Sequence, residues 1–120
     1  MSQVATHVIL TSYSLSKDSL NLWTSYRAQN NPNLNILLSD AAGATSTAPT
    51  FAPKTIIFPD GSTTYEVDGG IYANDPEAIA VREAILNNPE LKCDQIFMLS
   101  LGTGQPRLHG QRLNNQGILG

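Results

Sequence analysis

Few side chains in this chain are spaced for chemistry, and the best placed lie in T-T-Y-E-V-D-G-G, residues 63–70. Thr64, Tyr65, Glu66 and Val67 alternate as a short strand would, and Asp68 followed by Gly69 and Gly70 stops it. A carboxylate at the end of a strand, with glycines letting the backbone bend away behind it, can be offered as a base at the rim of a sheet. It takes a proton from a hydroxyl when held within roughly 2.6–3.2 Å of it in a dry pocket. The same three residues also read as a plain turn, because Asp and Gly favour turns for local reasons. Nothing else competes for a catalytic role. His7 and His109 are far apart and lack nearby ligand partners, and the single cysteine, Cys93, excludes an internal disulfide and builds no metal cluster. No metal or other cofactor is expected. Of the serines, Ser46 lies in A-T-S-T-A and Ser100 in M-L-S-L-G, and none sits in the G-x-S-x-G of a nucleophile elbow.

The elements that would position Asp68 follow from periodicity. Val4 to Leu10 is a short apolar run read as a buried strand, and Ser19 to Tyr26 alternates roughly as a second strand nearer an edge. Asn31 before Pro32 fits a helix cap with proline at the first helical position. Leu34, Leu37, Leu38, Ala41 and Thr45 then form one helical stripe, whose second half is nearly all small residues and calls for close packing. The helix should end before Pro49. Thr55 to Phe58 and Thr63 to Val67 flank Pro59-Asp60-Gly61-Ser62 as a hairpin. Asp75-Pro76 opens a second helix running to about Leu86, apolar round most of its circumference apart from Arg82 and Glu83, and so expected to be largely buried. Gln95 to Leu101 is the most apolar strand candidate, ended by Gly102-Thr103-Gly104. The alternation of strand and helix predicts an α/β domain with a mixed sheet. Ligands on such sheets sit outside the carboxyl ends of strands, where Asp68 and Gly102-Thr103-Gly104 would both lie.

Composition narrows the function classes. A chain of 120 residues with 41% apolar and 14% charged residues is one globular domain at most. A net charge of -3, with seven scattered Lys and Arg, argues against a nucleic-acid partner and a polybasic membrane patch. No run has the length of a transmembrane span or the form of a signal peptide, which leaves the cytoplasm as the default compartment and peripheral contact as the only membrane contact expected.

Taken in order, A-T-S-T-A-P-T-F-A-P (Ala44 to Pro53), D-G-G (Asp68 to Gly70), N-D-P (Asn74 to Pro76) and L-S-L-G-T-G (Leu99 to Gly104) resemble the patatin-like phospholipases. The tail N-N-Q-G-I-L-G, Asn114 to Gly120, resembles the segment that follows in that family. The resemblance implies part of a three-layer α/β/α sandwich with a mixed sheet, over residues 1–104, with 105–120 as a polar, glycine-rich, truncated continuation. It implies a lipid acyl hydrolase, a phospholipase A-type esterase in lipid catabolism, working by a serine–aspartate dyad. Asp68 then matches the dyad aspartate, with Gly69 and Gly70 completing the family's D-G-A/G motif. The family's G-x-S-x-G serine and glycine-rich oxyanion loop have no counterpart here. The chain is therefore similar to the C-terminal part of the domain only, and it is expected to be inactive alone. The partners expected are a lipid or phospholipid and an N-terminal half that supplies the serine. The competing expectations are a non-catalytic remnant serving as a lipid-binding or scaffold piece of a split or truncated gene, and an unrelated α/β domain.

Overall fold

The computed structural model describes residues 1–104. The continuation at 105–120, with His109 and the tail motif, lies outside the described residues. Four strands form one sheet in the order β2-β1-β4-β3, from β1 (Ile9–Ser14), β2 (Ser19–Thr24), β3 (Lys54–Ile57) and β4 (Thr63–Asp68). The helices are α1 (Ser25–Asn30), α2 (Leu38–Thr45), α3 (Gly70–Ala73) and α4 (Glu77–Asn87), with single 3₁₀ turns at Pro32–Leu34 and Cys93–Gln95.

The hairpin forms as its turn residues dictate. Phe58 N–H donates to Ser62 O, and Gly61 takes φ +83°, a conformation glycine adopts freely. β2 lies at a sheet edge, as its looser alternation implies. It ends at Thr24 because Thr24 Oγ1 accepts from Arg27 N–H and caps α1.

β1 and β4 set the register on which the candidate site depends. Ser12 lies opposite Asn21 on one side and opposite Asp68 on the other, and Ser14 lies opposite Glu66. Cross-strand partners share a face, so Ser12, Ser14, Thr64, Glu66 and Asp68 stand on one side of the sheet, with Lys54 of β3. α2 covers that side. Its small residues allow the close packing the sequence calls for: Ala41 and Ala44 are fully buried, and a side chain at Gly43 would meet Lys54 at 3.4 Å. Trp23 and Ile56 complete the core, with Leu10 and Phe58 packed against it. α3 meets the opposite face, where Tyr72 stacks on Tyr13 with ring centroids 6.4 Å apart. The result is a partial α/β/α arrangement.

Several expectations shift. The first strand is displaced to Ile9–Ser14, the stretch that pairs with β2 along its length and with β4 at its end. Asn31 does cap a Pro32 turn, through its Oδ1 and the Asn33 amide, but that turn lasts three residues and α2 starts only at Leu38. Leu34 and Leu37 are thus outside the helix. Gln95–Leu101 is not a strand: Phe97 and Leu101 are 92% and 84% exposed, and no strand among the described residues takes up the segment. Without that member every pairing among the described residues is antiparallel, and the sheet is not mixed. α4 is not largely buried either. Its one buried residue is Glu83, held by Arg82 at 2.8 Å and Arg27 of α1 at 3.8 Å, while the apolar positions lack a sheet to pack on.

Candidate functional site

Asp68 is the last residue of β4, half-buried, at the last rung of the β1–β4 ladder. Its backbone N–H donates to Thr47 O at 2.7 Å, so the A-T-S-T-A-P stretch after α2 holds the strand end from one side. Its carboxylate Oδ1 accepts from Gly70 N–H at 2.8 Å, across the turn into α3. Among the described residues Oδ2 takes no hydrogen bond. The turn reading and the presented-acid reading therefore describe the same atoms, since one oxygen fixes the turn and the other stays open.

The two glycines differ in what they do. At Gly69 the chain crosses Thr11 so closely that a Cβ would lie 2.5 Å from Thr11 Oγ1 and 2.6 Å from its carbonyl carbon and oxygen. No side chain fits there. At Gly70 a Cβ would come within 3.1–3.2 Å of Asn74 Oδ1 and Asp68 Oδ1, and crowd the carboxylate. Gly69 O in turn accepts from the Tyr72 and Ala73 amides, which starts α3 immediately.

Behind Asp68 lies a polar cluster that strand-by-strand reading misses. Glu66 is fully buried. Its Oε2 accepts from Ser12 Oγ at 2.5 Å, and its Oε1 accepts from Thr64 Oγ1 at 2.9 Å and Asn21 Nδ2 at 3.3 Å. Trp23 Nε1 donates to Ser12 Oγ at 2.8 Å, and the Ser14 and Thr64 hydroxyls lie 3.0 Å apart. Every buried side-chain polar atom among the described residues is satisfied. The available signal was the period-two spacing of Thr64, Glu66 and Asp68, which puts all three on one face.

No serine among the described residues is bonded to the Asp68 carboxylate. Ser12 is its cross-strand neighbour, but its buried hydroxyl is committed to Glu66. Ser46 Oγ donates back to the Ala42 and Gly43 carbonyls of its own helix. Ser100 and Gly102 line a groove of about 450 Å³ with Asn74–Glu77, next to a larger one of about 610 Å³ along α4, and Asp68 borders neither. The structure thus does not bring Gly102-Thr103-Gly104 to Asp68, because the strand that would carry them there is not formed. Among the described residues no cluster of His, Cys, Asp or Glu could hold a metal ion, and no helix is long and apolar enough to cross a membrane.

Comparison with known proteins adds the following. The chain is 30% identical to patatin-like protein 4 of Arabidopsis thaliana over 120 aligned positions, covering 89% of the chain and 30% of that protein. It is 37% identical to the cGAMP-activated phospholipase of Vibrio cholerae over 87 positions, 65% of the chain and 24% of the relative. It is 28% identical to probable inactive patatin-like protein 9 of Arabidopsis thaliana, over 92% of the chain and 31% of the relative. The chain spans under a third of the length of these relatives. No protein-family model matches it.

Proposed function

The chain belongs to the patatin-like family, and from that premise we propose that it carries the catalytic carboxylate of a lipid acyl hydrolase, Asp68. In this reading the nucleophilic serine and the oxyanion donors come from a further patatin-like segment. Asp68 accepts the serine proton through Oδ2 as the serine oxygen attacks the ester carbonyl of a phospholipid. Collapse of the tetrahedral intermediate expels the lysolipid alkoxide, to which Asp68 passes that proton, and leaves an acyl-serine. Water then attacks the acyl group, the freed Asp68 carboxylate accepts its proton and passes it to the serine oxygen, and the fatty acid leaves. The observation that carries the proposal is the strand-end carboxylate with one oxygen fixed by the Gly70 amide and the other open. Gly70 supports it by keeping a side chain out of the space around that carboxylate.

The test is a fusion of this chain to a patatin-like segment bearing G-x-S-x-G, assayed on phospholipid and nitrophenyl esters. Turnover is expected, falling by about 10²–10⁴-fold in Asp68→Asn, the range typical of losing a general base. A folded fusion whose turnover ignores Asp68→Asn would refute the assignment. One observation favours a second reading, a non-catalytic piece that binds lipid: a relative matched along 92% of the chain is named as probably inactive. A folded fusion that binds phospholipid vesicles without hydrolysing them would decide for it.

A further inference from the structure

We propose that Ser12 is a positioning residue for Asp68: its hydroxyl, bonded across the strand pair to Glu66, fixes the last rung of the β1–β4 ladder and with it the carboxylate. The catalytic meaning of this rests on the reading of Asp68 given above, while the geometric claim stands by itself.

Ser12 and Asp68 are the final partners of β1 and β4, and terminal rungs open most readily because nothing beyond them holds the strands together. Three contacts oppose that opening. Thr47 O holds the Asp68 amide from the α2 side. Thr11 presses against Gly69 on the other face, so the chain cannot swing towards β1. The third is the Ser12–Glu66 bond, which runs diagonally, from the residue opposite Asp68 to the residue two before it. Diagonal side-chain pairs tie neighbouring strands in the same way as directly opposite ones do. This one spans the final rung and resists both fraying and slippage there.

Ser12 is itself held. Trp23 of β2 donates to it at 2.8 Å, and Thr64 and Asn21 grip the far oxygen of Glu66, so three strands are tied through one hydroxyl. The cluster is buried, which makes loss of any member costly and its geometry narrow. A serine that served only to satisfy Glu66 could stand equally well at position 14, directly opposite it. Its place opposite Asp68 is what points to positioning.

The test reads geometry in the folded fusion described above, by amide hydrogen exchange and proton shifts. The reporters are the Asp68 amide, bonded to Thr47, and the Gly70 amide, bonded to the Asp68 carboxylate. In Ser12→Ala, protection at Asp68 and Gly70 should fall about tenfold relative to the helical amide of Ala44, the scale of one lost hydrogen bond. The Gly70 amide proton should also shift upfield. Ser12→Thr, which keeps the hydroxyl, should restore both. Trp23→Phe, which removes the donor to Ser12 and keeps the Ser12–Glu66 bond, should change both in the same direction and by less than Ser12→Ala. A purely structural serine would lower protection at Asp68, Gly70 and Ala44 alike, with the Gly70 shift unmoved, and that result would overturn the proposal. Should Ser12→Ala fail to fold, Glu66→Gln weakens the same bond without emptying the site. A smaller change in the same direction at Gly70 supports the tie, and an unchanged Gly70 sinks it. Because no step reads turnover, failure here leaves the catalytic reading of Asp68 standing, and an inactive fusion leaves the tie standing.

Discussion

At the scale of single residues, Asp68 and Asp60 make a matched pair of carboxylates with opposite expected roles. Both bond a backbone amide two residues on, Gly70 for Asp68 and Ser62 for Asp60. Asp60 is saturated by its surroundings, accepting from the Ser62 hydroxyl and amide and from Asn33 Nδ2, while its own amide donates to Asn33 Oδ1. Those donors, the Ser62 hydroxyl first, hold its carboxyl below the ordinary value of 3.8. A lowered folded value means that the ionised form contributes stability above about pH 3.8, and that the contribution is lost as pH falls through the lower folded value. A carboxyl-carbon NMR titration should place the Asp60 midpoint below 3.8. In the active fusion, Asp60→Asn should lower the melting temperature slightly and leave the rate per folded molecule intact, the reverse of Asp68→Asn. Equal activity losses in the two variants would mean that Asp68 is only a turn residue.

At the scale of elements, the turn from β4 into α3 holds the most crowded of the described glycines, Gly69. Gly69→Ala would drive a methyl to 2.5 Å from Thr11 Oγ1 and 2.6 Å from the Thr11 carbonyl, so side chain and backbone are both in the way. The expected cost is at least about 1–3 kcal/mol, the range for overpacking, with β1 and β4 forced apart. Gly61→Ala is the contrast. Nothing lies within 4 Å of the added methyl, and the cost is only that of placing an L-residue at φ +83°, about 1–2 kcal/mol. Thermal melts of the two variants separate crowding from backbone strain, because smaller side-chain changes at Thr11 should rescue only the first. A Thr11→Ala exchange, which removes Oγ1, that did nothing for Gly69→Ala would leave the backbone of β1 as the whole obstacle.

At the scale of the whole molecule, the chain leaves much apolar surface uncovered. Phe97, Leu99 and Leu101 stand out from the segment after the Cys93–Gln95 turn, and Ile57 and Tyr65 stand out from the sheet face opposite α2. Such surface normally marks an interface. The purified chain should therefore self-associate and melt broadly, with no esterase activity above a blank. A sharp two-state melt of a monodisperse monomer, by calorimetry with sedimentation, would count against the need for a further segment. The sequence by itself determined what depends on neighbours in the chain. The hairpin around Gly61, the end of β4 at Asp68, the Asn31 cap and the small-residue helix over the sheet are local, and turn chemistry and periodicity specify them. Tertiary structure alone decided the rest. Gln95–Leu101 has every mark of a buried strand, but a strand needs a neighbour to take its backbone hydrogen bonds, and composition supplies none. α4 is apolar on nearly all sides and still exposed for the same reason, while its charged Glu83 is buried because two arginines reach it. The Ser12–Glu66–Trp23 cluster joins residues 11 and 54 positions apart, and only the register of three strands brings them behind Asp68.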